Sequence, residues 1–379
     1  MNPIIRYSLS ELGGDRVRVL GRTNGSLDPL TVFFNASGME VNAKCTELWV
    51  DLHVEYKTAA PFLDIIMNGA RTQRILLPQG DIRLCAVKGL AGTRANNIRI
   101  LRDTQPMPDD PDLLLQITGV ETDGEFLPLR NYSMKIEFIG DSITTGEGLI
   151  GETGDQDWVP CCMDSVNDYT YRTAEALGAE FRVFSMSGWG VHTSWENNNR
   201  QVIPEFYETL CGMSAEGAGA EYGAGDRWDF SRWRPDVVVI NLGTNDCGAF
   251  DTPAYTDPVS GEVWKMHRTA DGAMAPEDLQ VFQDAVYGFL TMLRRDNPQA
   301  YLLWVYGMLG NALMPQIYAA VDKFRLNTGD LRVGALELPN TLPGEFGSRM
   351  HPGIPSHRKT AELLSKRIRE IVNRFTDEF

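Results

Sequence analysis

Four short segments of the sequence carry the side chains best suited to nucleophilic chemistry. Ser142 lies in GDSIT, Gly188 and Gly190 lie in SGWG, Asn245 lies in GTND and His351 lies in MHP. A serine hydroxyl is a weak nucleophile, so it requires a base such as an imidazole within hydrogen-bond reach. The oxyanion formed when it attacks an ester requires fixed donors, which a glycine N–H or an asparagine amide supplies. The set therefore predicts acyl transfer, with Ser142 as nucleophile and His351 as base.

The regular elements of the second part of the chain place these segments at one edge of a sheet. Apolar runs alternate there with amphipathic stretches, which is typical of a doubly wound parallel sheet covered by helices on both faces. We predict five strands and three helices, the strands over 135–140, 182–187, 235–243, 301–307 and 332–338 and the helices over 168–177, over 277–295 and from 356 onward. Open α/β folds bind ligands at the carboxyl edge of their strands. Three segments follow such a strand directly, and the histidine segment precedes the last helix.

The first third of the chain has a different pattern. From about residue 15 to 126, short alternating apolar runs are separated by turn residues every dozen residues or so, and no helical periodicity of useful length is present. This pattern predicts an antiparallel β-sandwich or jelly roll. We therefore expect two domains, an all-β domain over residues 1–130 and an α/β domain over residues 131–379.

The composition excludes several other classes of protein. The 379 residues include 35 Lys and Arg against 51 Asp and Glu, a net charge of −16 that repels nucleic acids and anionic lipid surfaces. Six scattered cysteines without a CxxC pair predict free thiols, with neither a disulfide framework nor a metal site. No apolar run is long enough for a bilayer span or a secretory signal, and with the free thiols this predicts a cytoplasmic protein.

One further motif suggests a cofactor but has the wrong context. Residues 146–151 read GEGLIG, which formally matches the GxGxxG pattern of dinucleotide-binding loops. The motif starts six residues after the end of the predicted strand, and the acidic residues Glu147, Glu152, Asp155 and Asp157 would repel a pyrophosphate. We therefore expect no cofactor.

The four segments resemble, in order and spacing, the sequence blocks of the SGNH (GDSL-type) hydrolases. The resemblance implies Ser142 as nucleophile and His351 as general base. It also implies an oxyanion hole formed by the Ser142 N–H, the Gly188 N–H and the Asn245 side chain, with Gly190 as the alternative to Gly188. With its preceding all-β domain, the chain resembles carbohydrate esterase family 2, whose members pair a jelly roll with an SGNH domain. Those enzymes remove acetyl groups from xylan- and mannan-type sugars, which implies an acetylated oligosaccharide as substrate.

The sequence departs from the general SGNH pattern at one position. An aspartate usually lies three residues before the histidine, and here that position is Ser348. A hydroxyl cannot stabilise an imidazolium as a carboxylate does. Members of the resembled esterase family work as Ser–His dyads in which a backbone carbonyl orients the imidazole, and we expect the same arrangement here. Glu345 is the alternative orienting group.

Substrate contacts and assembly are less determined by the sequence. Six tryptophans lie in predicted loops, where an indole often stacks on the apolar face of a sugar, at positions 158, 189, 195, 228, 233 and 264. Trp189, between the two glycines of the second segment, is the favoured substrate contact, and Trp264 is a second candidate. Sandwich edges and exposed loops can pair between copies of the chain, so the sequence is compatible with a homo-oligomer.

Two alternative functions remain at this point. One is another SGNH activity, a lipase or thioesterase for longer acyl chains, which would require an apolar acyl groove. The other is a catalytically inactive carbohydrate-binding protein in which the sandwich is the working part. The complete Ser/Gly/Asn/His set argues against the inactive binding protein, and the acidic loops fit a neutral sugar ester better than a phospholipid or an acyl-CoA.

Overall fold

The structure, a computed structural model, describes residues 3–376 and contains an antiparallel sandwich followed by a parallel sheet with helices. Eleven antiparallel strands come first: β1 Ile5–Tyr7, β2 Val17–Leu20, β3 Leu30–Thr31, β4 Gly38–Lys44, β5 Glu47–Glu55, β6 Phe62–Met67, β7 Ala70–Leu76, β8 Gly80–Lys88, β9 Asn96–Arg102, β10 Leu114–Thr122 and β11 Glu125–Leu127. One sheet has the order β1-β10-β5-β8, with β3 paired to β10. The other has the order β11-β4-β9-β6-β7, with β2 paired to β4.

The core of the sandwich lies between these two sheets. Along β5, Leu48, Val50, Leu52 and Val54 are fully buried and alternate with partly exposed residues, as the period of two along a strand requires. They pack in one cluster with apolar residues from the facing sheet, such as Ile100. The alternation in the sequence therefore identified the core face of this strand.

The second part of the chain forms a five-stranded sheet in which every pairing is parallel. Its order is β13-β12-β14-β17-β18, built from β12 Lys135–Gly140, β13 Glu180–Ser185, β14 Val237–Asn241, β17 Tyr301–Tyr306 and β18 Val333–Glu337. A small hairpin of β15 Tyr255–Thr256 and β16 Val263–Trp264 lies outside this sheet. The predicted fold class, a doubly wound parallel sheet preceded by an all-β sandwich, is confirmed.

Eight α-helices accompany the parallel sheet in the described residues. They are α1 Ser142–Thr145, α2 Tyr169–Leu177, α3 Ile203–Tyr207, α4 Ala218–Glu221, α5 Thr244–Ala249, α6 Pro276–Asp296, α7 Met314–Thr328 and α8 Ile354–Thr376. Helices α6 and α7 pack with one face of the sheet, and α2 and α8 pack with the other. None of the helices within residues 3–376 has the length and apolar character that a membrane span requires.

Helix α7 is absent from the sequence-based assignment, which leaves residues 314–328 without an element. The signal was present, because Ile317, Val321 and Phe324 follow helical spacing and are buried against the sheet. Pro315 in the first turn is also typical of a helix start.

A buried charge cluster joins the sandwich to the loop that precedes α2. The guanidinium of Arg71 on β7 binds both carboxylate oxygens of Asp164 at 2.8 Å, and it lies 3.5 Å from Asp64. Burial, reinforced by the carboxylate of Asp103, raises the pKa of Asp64 to about 9. Asp64 is therefore neutral near pH 7, and within this cluster the Arg71–Asp164 pair forms the ionic contact between the two parts of the chain.

We expect Arg71→Met to lower the free energy of unfolding by about 3 kcal/mol, because it removes the cation that pairs with the buried Asp164 carboxylate and leaves that carboxylate only its hydrogen bonds to Val166 and Asn167. Urea unfolding followed by tryptophan fluorescence measures the change. Arg83→Met is the matched control, since Arg83 forms a solvent-exposed pair with Glu121 whose loss should change the free energy of unfolding much less. Equal effects of the two substitutions would refute the interpretation.

Candidate active site

Ser142 lies at the point where the central strand β12 turns into α1. Gly140 ends the strand, and a Cβ there would lie 2.0 Å from Thr144 Oγ1, so no larger residue fits the turn. Asp141 is the N-cap, and its carboxylate accepts a hydrogen bond of 3.0 Å from the Ile143 N–H. The strand exit thus holds the Ser142 hydroxyl at the carboxyl edge of the sheet.

His351 returns to this edge just before α8. The Ser142 hydroxyl lies 3.0 Å from His351 Nε2, within hydrogen-bond reach, although 209 residues separate the two along the chain. The opposite ring nitrogen, Nδ1, donates to the backbone carbonyl of Arg349 at 3.2 Å. This second bond places the proton on Nδ1 and leaves Nε2 free to accept the serine proton.

The backbone before His351 adopts an unusual conformation that supplies this carbonyl. Arg349 and Met350 have φ angles of 54° and 57°, in the left-handed region that residues with a side chain seldom adopt. Gly148 makes room for the turn, because a Cβ there would lie 2.4 Å from the Ser348 carbonyl oxygen and 2.8 Å from His351 Cβ. Gly148 of the GEGLIG segment therefore leaves the space that the turn before His351 requires.

Burial keeps His351 in its neutral form. Burial lowers the pKa of His351, and the carboxylate of Glu147, 3.8 Å from Nε2, opposes this shift. A neutral imidazole is the form that can accept the serine proton, so this environment suits a general base.

The expected oxyanion donors lie in the same cavity as Ser142. This cavity, of about 300 Å³, is lined by Ser142, Gly188, Asn245 and His351 among others. The Asn245 amide donates to the Trp189 carbonyl at 3.0 Å, which fixes its orientation and leaves its second N–H available. Within residues 3–376 the Ser142 and Gly188 N–H groups donate to no protein acceptor. The three donors are thus free to bind a ligand oxygen.

Gly190 does not lie in this cavity, so the alternative assignment is not supported. It forms an isolated bridge with Val202, and a Cβ there would lie 2.3 Å from Asp246 Oδ2. That carboxylate accepts N–H bonds from Val191, His192 and Thr193 at 2.7–3.1 Å. Gly190 is therefore needed for the close approach of Asp246, which fixes the loop that carries Gly188.

The sandwich also supports the site, which the sequence did not indicate. The Asn35 amide donates to the Thr144 carbonyl at 3.1 Å and accepts from the Ser185 hydroxyl at 2.9 Å. Gln105 Oε1 accepts the Ser187 N–H at 3.0 Å, next to Gly188. Both residues are buried polar groups in connections between strands, where no periodicity marks them.

Comparison with known proteins identifies the family. The sequence profile of the GDSL-like lipase/acylhydrolase family matches residues 138–377. The chain belongs to this family. The match begins within β12, covers the other four strands of the parallel sheet and includes the segments of Ser142, Asn245 and His351, so the SGNH (GDSL-type) resemblance is confirmed.

Solved structures extend the similarity over both domains. An acetyl xylan esterase from the rumen bacterium Butyrivibrio proteoclasticus is 39% identical, has a TM-score of 0.96 and matches 98% of this chain and 99% of its own. A family two carbohydrate esterase from Clostridium thermocellum, solved with cellohexaose, shares the fold, with a TM-score of 0.77, 24% identity and coverage of 94% of this chain and 99% of its own. The resemblance to carbohydrate esterase family 2 is confirmed.

Curated relatives match over part of their length. The acetylxylan esterase/glucomannan deacetylase of Cellvibrio japonicus is 30% identical over 236 residues, which is 61% of this chain and 61% of that protein. A second relative, a cellulase/esterase, is also 30% identical, and the match spans 62% of this chain and 25% of that protein.

The structure corrects the two substrate-contact candidates. The Trp189 side chain is buried against Phe206, with ring centroids 4.9 Å apart, and only its carbonyl contributes to the site. Trp264 stacks on Tyr255 in the β15–β16 hairpin and does not line the cavity. Trp158 and Trp195 line it instead and are 40% and 47% exposed. Both belong to the set of loop tryptophans, but the sequence could not show which indoles face solvent.

The orienting group of His351 is the Arg349 carbonyl in this geometry. Glu345 pairs with Lys359 and accepts the Leu342 N–H, so it is not available to the imidazole. Ser348 is fully buried, and its hydroxyl has no hydrogen-bond partner among the described residues. Its hydroxyl therefore does not replace the missing aspartate.

We expect Ser348→Ala to retain most of the esterase activity, since the serine hydroxyl bonds to nothing in the site. Measurement of kcat/KM with p-nitrophenyl acetate checks this. A loss as large as that of His351→Ala would refute the carbonyl assignment.

We expect Asn245→Ala to lower kcat by about 10² to 10³, the loss that follows removal of one oxyanion donor. KM should change little, because the amide binds the oxyanion of the transition state rather than the substrate carbonyl. A thermal unfolding curve controls for the lost bond to Trp189. A variant that changes KM alone would contradict the oxyanion role.

No group of three or more His, Cys, Asp or Glu side chains in residues 3–376 is arranged to hold a metal ion.

Proposed function

We propose that the protein is a carbohydrate O-deacetylase that works through a Ser142–His351 dyad. The single observation that carries this proposal is the 3.0 Å contact between Ser142 Oγ and His351 Nε2 in a cavity that also contains Gly188 and Asn245. Family membership and the acetyl xylan esterase of the same fold support it.

The geometry suggests the following sequence of steps. Ser142 Oγ attacks the acetyl carbonyl while His351 Nε2 takes the hydroxyl proton. The resulting oxyanion accepts hydrogen bonds from the N–H groups of Ser142 and Gly188 and from the Asn245 amide. The C–O bond to the sugar breaks, and the imidazolium returns its proton to the sugar oxygen. Water, deprotonated by the same imidazole, then hydrolyses the acetyl-enzyme and regenerates the serine.

The lining of the cavity favours a short acyl group. The lining includes the charged residues Glu147 and Arg349 beside the apolar Trp158, Trp195 and Leu309. A lipase requires a continuous apolar groove for its acyl chain, and burial of the charged Glu147 and Arg349 by such a chain would be costly. The lining therefore favours the acetyl esterase over the lipase or thioesterase alternative.

A second cavity extends the site toward the sandwich. It has a volume of about 320 Å³, shares Trp158, Ser187, Trp195 and Arg349 with the first, and is also lined by Met107 of the sandwich. Exposed indoles can stack on the apolar faces of sugar rings. We propose that acetylated xylan- or mannan-type oligosaccharides bind along these cavities, as the substrates named for the relatives suggest.

A chain-length series of p-nitrophenyl esters, together with acetylated xylo- and manno-oligosaccharides, tests the proposal. We expect a strong preference for acetate and release of acetate from the oligosaccharides. Preference for octanoate would support the lipase alternative. Oligosaccharide binding without turnover of any ester would support the inactive binding protein.

The cytoplasmic location, the homo-oligomer and the lack of a required cofactor stay predictions. Neither nucleic acid nor membrane is proposed as a partner, since the net charge of −16 opposes both.

A further inference from the structure

We propose that Glu147 is a positioning residue of this site, whose carboxylate stabilises the imidazolium that His351 becomes during acyl transfer. This inference rests on the proposed function, because it concerns the same serine and histidine. In the general family pattern, an aspartate at the place of Ser348 supplies negative charge on the Nδ1 side of the imidazole. Glu147 would supply that charge here from the Nε2 side of the ring.

The location of Glu147 makes this role available. Its backbone N–H donates to the Ser142 carbonyl at 3.0 Å at the end of α1, so its position depends directly on the nucleophile turn. The residue is only 6% exposed and lines the cavity that contains Ser142. Its Oε1 atom lies 3.8 Å from His351 Nε2, too far for a hydrogen bond but close enough for a strong charge interaction.

The group that accepts the Nδ1 proton of His351 is not itself a negative charge that could stabilise the imidazolium. The Arg349 carbonyl accepts the Nδ1 proton and so sets the tautomer, but a neutral carbonyl carries less negative charge than a carboxylate. Burial meanwhile disfavours the protonated ring. Among residues 3–376, Glu147 is the one carboxylate within 4.0 Å of the His351 ring nitrogens.

The other charged groups near His351 do not supply this interaction. The Arg349 guanidinium, 3.3 Å from Glu147, and the ring of His357 on α8 both disfavour a protonated His351. His357 itself lies 3.2 Å from Asp168 on α2. The Glu147 carboxylate opposes the effect of both groups on His351.

The two aspartates at the sheet edge are engaged elsewhere. Burial raises the pKa of Asp141 to about 8, so this residue is largely neutral near pH 7. Burial also raises the pKa of Asp246, and its carboxylate accepts three backbone N–H groups. Glu147 is therefore the group best placed to act on His351.

The test is the pH profile of Glu147→Gln, which keeps the shape of the side chain and removes its charge. Without the carboxylate the pKa of His351 falls, so the acid limb of kcat/KM for p-nitrophenyl acetate should move down by about one pH unit. The plateau should fall about three- to tenfold, because the imidazolium of the transition state is less stabilised. The two profiles should then approach each other below the acid limb, which a merely structural role would not produce.

Two further variants test whether the shift of the acid limb comes from the charge of Glu147. Arg349→Gln removes a positive charge and keeps the backbone carbonyl, so its acid limb should move in the opposite direction, to higher pH. Glu152→Gln removes an exposed carboxylate from the neighbouring loop and should leave the profile unchanged. Thermal unfolding curves for each variant exclude loss of the fold as the cause.

The rate at which a fluorophosphonate modifies Ser142 gives a second readout that needs no acetyl substrate. The modification rate depends on neutral His351. The acid limb of this rate should therefore move to lower pH in Glu147→Gln and to higher pH in Arg349→Gln, as for kcat/KM. If the wild type is modified in this way but hydrolyses no acetyl ester, the proposed function fails and the Glu147 inference is still tested. An unchanged acid limb in Glu147→Gln, or an equal loss at every pH, would overturn the inference.

Discussion

Ser142→Ala is expected to lower ester hydrolysis by at least about 10⁴-fold, because removal of a serine nucleophile leaves only the catalysis of the oxyanion hole and of binding. The cavity contains a second serine, Ser187, but its hydroxyl bonds to Thr145 and has no imidazole partner. No other hydroxyl of the described residues lies within hydrogen-bond distance of His351 Nε2. The loss should therefore be close to complete.

Steady-state rates with p-nitrophenyl acetate and with acetylated oligosaccharides measure this effect. Ser187→Ala is the matched control, since it removes a hydroxyl from the same cavity, and it should keep most of the activity. Calorimetry should show that Ser142→Ala still binds the oligosaccharide. Activity in Ser142→Ala within tenfold of the wild type would mean that another group is the nucleophile.

His351→Ala is expected to have the second large effect, also about 10⁴-fold or more in kcat at neutral pH. In this variant the Ser142 hydroxyl keeps its place but loses the acceptor 3.0 Å away, so its proton has no route to the leaving group. Part of the loss should be recovered at alkaline pH, where hydroxide can take over the role of the base.

The kinetic comparison with His267→Ala controls for a general effect of histidine loss. His267 is exposed and pairs with Asp278 away from the site, so its removal should leave kcat unchanged. Equal activity of His351→Ala and His267→Ala would contradict the role of His351.

Much of this arrangement could be predicted because strand periodicity determines where a chain leaves a sheet. The run before Asn245 is continuous and apolar and the run before Ser142 is mainly apolar, and both are parallel strands whose ends meet in register, with Gly140 beside Asn241. Once two adjacent strands are assigned, the residues that follow them must lie at one edge. The spacing of the sequence therefore sufficed for these two groups.

The remaining features depend on contacts between distant segments. The indoles of Trp189 and Trp195 lie six residues apart in one irregular loop, yet the first is buried and the second exposed, because the Asp246 carboxylate fixes the loop path. The left-handed backbone at Arg349 likewise depends on the space left by Gly148. Neither feature has a periodic signal, since each is decided by tertiary packing.

The contact between Glu147 and His351 could not be predicted from the sequence either. In the sequence it counts only as a residue that opposes phosphate binding in the GEGLIG segment. Its distance of 3.8 Å from His351 Nε2 becomes visible only when the turn before α8 is placed against the end of α1.

The most direct test of the account is to find which residue a fluorophosphonate modifies and what that modification does to activity. Mass spectrometry of peptides from the inactivated enzyme should place the phosphonyl group on Ser142, in proportion to the activity lost. The His351→Ala variant should be modified far more slowly. Modification of a different residue with the same loss of activity, or full activity after complete modification of Ser142, would contradict the central claim.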